Sequence, residues 1–190
     1  MRTRRDALRP HRPWPPQGWT GPTTVARRDF LHYVIAASAA TLGLAAAGEA
    51  AVKTGDRPKT VTLGDLSGAE VALPDAFGGK VVVVHFWASW CPACLREIEA
   101  LESLFGEYRE RGLAPVSVNV GETKAVASEA LRTRKVTYPI LLDTDAATAR
   151  LYGVRGVPTT FVMDRAGSIG VKVLGEFDRH GLGRILAKML

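Results

Sequence analysis

An unbroken β-branched and aromatic run, VVVVHFWA at 81–88, ends just before a cysteine, a proline, an alanine and a second cysteine, Cys91-Pro92-Ala93-Cys94. A continuous run of this kind reads as a central strand buried on both faces. Pro92 suits the first turn of a helix, because its missing N–H would have no partner there in any case. The helix is expected to run to about Arg111, with Gly112 ending it. One strand therefore delivers two cysteines to the start of one helix, which points to a fold that alternates strands and helices.

The flanking text continues that pattern. TVTLGDL and AEVALP alternate apolar and polar residues around Ser67-Gly68 and predict a hairpin. APVSVNV is a second buried strand, and a helix follows with Thr123 as its cap. YPILLD, DAATARLYG, VPTTFVMD, SIGVKVLG and DRHGLGRILAKML read in turn as strand, helix, strand, strand and helix. This order predicts an α/β fold, a mixed sheet with helices on both faces. Residues 51–58 read as a polar linker, and 59–190 as the folded domain.

The first fifty residues are of a different kind. Residues 1–24 are rich in Arg, Pro and Trp. ARRDFLH (26–32) then leads into the uncharged YVIAASAATLGLAAAG (33–48). A basic stretch, a short apolar run and small residues at its end form the layout of an export signal. Arg27-Arg28 followed by Phe30 and Leu31 resembles the twin-arginine signal. The apolar run is short for a bilayer crossing, which takes about 20 residues. Residues 1–50 are therefore expected to be a cleaved export signal, with a cleavage site near Ala47 or Ala50. An N-terminal membrane anchor is the alternative.

Charge excludes one function class. The chain carries +6 overall, but residues 1–50 hold seven Arg and no Lys against Asp6, Asp29 and Glu49. Four of the six positive charges thus lie outside the domain, which has no basic stripe suited to nucleic acid.

Three chemistries compete for the cysteine pair, the only two cysteines in the chain. A structural bridge across two residues closes almost no loop and stabilises little. A metal site needs more donors than two cysteines supply. Within the domain, only His85 and His180 could add an imidazole, although two thiolates suit Cu(I). A redox dithiol explains more. Cys91 falls at the helix N-terminus, where unpaired N–H groups and the helix dipole favour a thiolate. Cys91 is then the exposed attacking sulfur, and Cys94, one turn further in, is the buried resolver.

WCPAC after VVVVHFWAS, together with GVPTTFVMD, resembles the thioredoxin superfamily. Within it, LGDLSGAEVALPDAFGGKVVVVHFWASWCPACLREI, VSVNVGET and YPILLDTDAATARLYGVRGVPTTFVMDRAGSI resemble the exported TlpA/ResA-like disulfide reductases, the redoxin group. The resemblance spans residues 60–175. It implies a thioredoxin-like sheet with an N-terminal β-hairpin and a central αβ insertion. Thiol–disulfide exchange follows, with a Cys91–Cys94 disulfide as the redox group and no separate cofactor or metal. It also implies a cis Pro158 that packs against the disulfide and holds Val157 beside the sulfurs, where a partner chain can pair with it. Trp90 would cover the dithiol and, with Pro92, face partners, while Trp87 packs in the core. The implied partners are protein dithiols and disulfides of the cell envelope and a membrane-borne electron donor. The implied setting is the periplasm or the outer face of the cytoplasmic membrane. Cytochrome c maturation and copper-centre assembly are the client classes. A thiol oxidase of the same fold and a non-enzymatic Cu(I) carrier are the other readings. No peroxide pocket of the threonine-then-cysteine kind is present.

Three ionisable residues are candidates for a role beside the pair. At about 100° per residue, Glu97 falls in the arc of Cys94, Ile98, Leu101 and Phe105. A carboxyl buried there without a partner favours its protonated form, and it could take the thiol proton of Cys94. TlpA/ResA-like proteins carry a glutamate at this spacing. The alternative is an edge glutamate reaching water. Those relatives often have proline two residues later, where this chain has Glu99, so a less kinked helix is expected. His85 stands where ordinary thioredoxins carry a buried aspartate; it is read as a proton relay, a metal ligand or a satisfied core histidine. The resemblance implies that Glu122, in VNVGET, is a second acidic group near the site; a surface turn residue is the alternative.

Overall fold

The structure, a computed structural model, describes residues 51–190. The export-signal reading of residues 1–50 lies outside the described residues.

Asp65 sets the first turn. Its carboxylate accepts hydrogen bonds from the backbone N–H of Ser67 (2.8 Å) and Ala69 (2.9 Å), with Gly68 at φ 96°. This closes the hairpin of β1 (Val61–Gly64) and β2 (Glu70–Leu73). PDAF, read as a turn, forms a single 3₁₀ turn at Asp75–Phe77.

The main sheet has β3 (Val81–Trp87) at its centre. Next come β4 (Leu113–Val120) and β5 (Ile140–Asp143) on one side, and β6 (Thr159–Met163) and β7 (Ile169–Leu174) on the other. β3 runs parallel to β4 and antiparallel to β6, so the sheet is mixed. Every residue of β3 is buried, as its unbroken apolar run requires. Side chains alternate between faces along a strand, and the two cores divide accordingly. Val81, Val83 and Trp87 join Leu101 and Leu104 of α1 (Pro92–Tyr108), Leu131 of α2 (Lys124–Leu131) and Leu186 of α4 (Arg179–Met189). Val82, Val84 and Phe86 pack instead against Tyr152, against Ala149 of α3 (Ala147–Leu151), and against Leu73 of the hairpin.

Local chemistry bounds these helices. α1 passes into a 3₁₀ turn at Arg109–Arg111, and Gly112 stops it at φ 96°. No proline interrupts α1, in keeping with Glu99. Thr123 and Asp178 cap α2 and α4 through their side-chain oxygens. The buried Asp143 carboxylate receives the N–H groups of Thr148 (3.0 Å) and Ala149 (2.8 Å) and so starts α3.

Residues 51–58, read as a linker, lie against the start of β7. Gly55 N–H donates to Ile169 O (2.7 Å), and Ile169 N–H donates to Asp56 O (2.9 Å). Among the described residues no helix is long and apolar enough to cross a membrane.

Candidate active site

Cys91 is the N-cap of α1, and Pro92 is its first helical residue. The two cysteines are joined as a disulfide with Cα atoms 5.3 Å apart. Cys91 Sγ also accepts the backbone N–H of Cys94 at 3.1 Å. That is the N-cap geometry in which a helix start favours negative charge on the capping atom. Cys91 keeps 5% of its surface and Cys94 none. The sulfur read as exposed is therefore only narrowly open in the oxidised form. Trp90, by contrast, stands 71% exposed beside it, while Trp87 is fully buried.

The Val157–Pro158 bond is cis, and Pro158 is buried. Val157 and Trp90 line one open groove of about 290 Å³ together with Ala88, Val120, Ala149 and Val154. A second cis bond, Leu73–Pro74, lies at the end of the hairpin and carried no sequence signal that separated it from an ordinary turn.

Glu122 braces the loop that carries Trp90 and Cys91. Its carboxylate accepts Ser89 N–H (2.9 Å), Ser89 Oγ–H (2.5 Å) and one amide hydrogen of Asn119 (2.7 Å). Partial burial works against the charge, but these bonds outweigh it and hold the carboxyl below its ordinary range.

Glu97 is 2% exposed and His85 fully buried. The edge-glutamate reading does not describe this side chain. The premise of an unpaired carboxyl needs correction as well. Glu97 Oε1 accepts Phe177 N–H at 2.6 Å, and Oε2 lies 2.9 Å from His85 Nε2. That second separation is the distance of an ion pair, though off the line of a regular hydrogen bond. On its other side, His85 Nδ1 is 3.2 Å from Ser117 Oγ, which is 3.2 Å from the Tyr138 hydroxyl. Tyr138 donates to the carbonyl of Ile98 on α1 (3.2 Å). Burial pushes the Tyr138 phenol far above its ordinary range, against the opposing bond from Ser117, so it stays a donor. The Phe177 ring meets His85 edge-on at 6.5 Å and covers the pair. Arg96 and Glu176 join in a two-bond ion pair at the rim, tying the Phe177 loop to α1.

The structure thus brings Cys91, Cys94, Trp90, Pro92, Glu97, His85 and Glu122 to one end of β3 and α1. Sequence reading missed Ser89, Ser117, Asn119, Tyr138 and Phe177. The signal for two of them was present: Ser117 and Asn119 alternate with valines in APVSVNV, so both face the same side as His85 and Trp87, their register partners on β3.

A family model described as AhpC/TSA matches residues 54–172. The chain belongs to the AhpC/TSA family. Among relatives, it is 33% identical to the thiol-disulfide oxidoreductase ResA of Geobacillus thermodenitrificans over 132 residues, covering 70% of this chain and 75% of that protein. It is 32% identical to the ResA of Bacillus subtilis over 128 residues, covering 67% and 70%. Among solved structures, it matches a Chlorobium tepidum chain assigned as a thiol:disulfide interchange protein DsbE. That match has a TM-score of 0.68 and 31% identity, and covers 73% of this chain and 99% of that one. This AhpC/TSA member is a thiol-disulfide oxidoreductase with a thioredoxin-like fold, and the Cys91–Cys94 disulfide is its redox group.

Proposed function

We propose that the protein is exported and reduces disulfides of envelope proteins, of the kind met in cytochrome c maturation or metal-centre assembly. Residues 1–50 would serve as a twin-arginine-type signal or an anchor, 59–190 as the working domain, and a membrane-borne donor would return the electrons. The observation that carries this reading is Cys91 at the N-cap of α1 beside the exposed Trp90 and the Val157 groove. In the reducing direction, the Cys91 thiolate attacks a client disulfide and releases one client thiolate, which takes up a proton. The Cys94 thiolate then attacks Cys91 Sγ, forming the internal disulfide and releasing the second client thiolate. Two electrons pass from the dithiol to the client.

His85 has both ring nitrogens turned to Ser117 and Glu97. That leaves His85 no ring nitrogen free as a third ligand beside the cysteines, which favours exchange over a Cu(I) carrier of that kind. The test is a Cys94→Ser variant expressed in a host envelope: it should accumulate clients disulfide-linked to Cys91. Recovery of no linked partner contradicts the proposal. Equilibration with glutathione then separates reductase from oxidase, because potentials of this fold span about −270 to −120 mV.

A further inference from the structure

We infer that His85 is a positioning residue for the second half of the exchange: it keeps the buried Glu97 in a form able to take the proton of Cys94. The Ser117 and Tyr138 hydroxyls set which ring nitrogen does so. This rests on the exchange chemistry proposed above.

The donors and acceptors along the buried chain fix where its hydrogens lie. The Ile98 carbonyl can only accept, so the Tyr138 hydrogen points to it. The Ser117 hydroxyl then gives its hydrogen to the Tyr138 oxygen, and the Ser117 oxygen is left to accept from His85 Nδ1. Nδ1 therefore carries a hydrogen. Nε2, at 2.9 Å from Glu97 Oε2, faces an acceptor. Two lone pairs repel at that distance, whereas a proton on Nε2 makes the contact an ion pair, which does not need the alignment of a regular hydrogen bond. The other carboxylate oxygen is held by Phe177 N–H.

A glutamate this buried and without a partner would keep its own proton and be no base. With a proton on Nε2 of the imidazole, Glu97 is a carboxylate whose charge is matched inside the core. Glu97 lies three residues after Cys94 on α1, the spacing at which helical side chains are neighbours. When Cys94 attacks Cys91 Sγ, its thiol proton passes to Glu97, its sulfur forms the new S–S bond, and the Cys91–client S–S bond breaks to release a client thiolate.

Other charged groups act on the pair from the rim. Arg96 is bonded to Glu176 and also senses the Glu97 charge. Glu102 lies beyond Tyr138 and adds a small charge effect there.

The reduced full-length protein, mixed with 5,5′-dithiobis(2-nitrobenzoate), releases coloured thiolate twice. The first release reports attack by Cys91 and the second reports resolution by Cys94. His85→Gln keeps an amide near Glu97 but cannot carry the proton. We expect its second release to be slower by on the order of 10–100-fold at pH 7, with the loss recovered as pH rises and the first release within twofold of wild type. Ser117→Ala, which disturbs the fold less, should give a smaller slowing with the same alkaline recovery. A second release in His85→Gln with the wild-type rate and pH profile overturns the inference. So does a slowing that pH does not relieve, since that is a structural effect. Absence of both releases in the wild-type protein would instead refute the exchange chemistry itself.

Discussion

Replacing Glu97 tests the buried site through stability, independently of turnover. Glu97→Ala removes the acceptor of the Phe177 N–H, and a buried donor left unpaired costs about 1–3 kcal/mol. It also strips His85 of its partner. Removing one member of a buried ion pair costs about 3–5 kcal/mol, and the orphaned Phe177 group falls within that total. Both side chains are out of solvent, so no screening discount applies. Glu97→Gln keeps a carbonyl for Phe177 and turns an amide hydrogen toward Nε2, which carries no proton once the carboxylate is gone and Nδ1 keeps its own. It should cost only about 1 kcal/mol. Equilibrium urea unfolding of the oxidised protein, followed by fluorescence of the buried Trp87 and by circular dichroism, reads the difference. With a slope of about 2 kcal/mol/M, the alanine variant should lose about 1.5–2.5 M in midpoint and the glutamine variant about 0.5 M. An alanine variant within about 1 kcal/mol of wild type refutes the reasoning. A glutamine variant as damaged as the alanine variant refutes the tautomer assignment.

Two further perturbations probe the rim of the site. Glu122→Gln weakens the clamp on Ser89. Because the folded carboxyl is held below its ordinary range, its stabilising effect is present above the unfolded range, near pH 4, and fades as pH falls through the lower folded value. Thermal unfolding should therefore separate the variant from wild type at pH 7 and bring the two together in strong acid; a gap that persists there contradicts the assignment. Trp90→Ala removes an exposed ring, so stability should stay within about 0.5 kcal/mol while the rate of exchange with a protein disulfide falls. Unchanged exchange would remove Trp90 from the partner surface.

Much of this arrangement was legible because it is local. A β-branched run, a proline at N1 and a glycine in a left-handed turn place β3, α1 and both cysteines without reference to anything distant. The helical period alone turned Glu97 inward. What meets Glu97 there was not legible, because burial of one side chain does not name its neighbour. His85 comes from the middle of a strand, Phe177 from a loop after the last strand, and Tyr138 from a segment preceding β5. Their convergence is a product of sheet order, which places β4 and β6 on either side of β3. The reading of an unpaired carboxyl failed for that reason. Ser117 shows the opposite case: strand alternation and the β3–β4 register bring it beside His85, but only once the pairing of the two strands is known.

Exchange depends on the start of α1 making Cys91 the nucleophile. The most direct measurement is the rate of iodoacetamide alkylation of Cys91 in Cys94→Ser protein as a function of pH. The N-cap position and the Cys94 N–H aimed at Sγ predict a midpoint between about 3.5 and 7.5. A midpoint near 8.5, the behaviour of cysteine in an unstructured peptide, would contradict it.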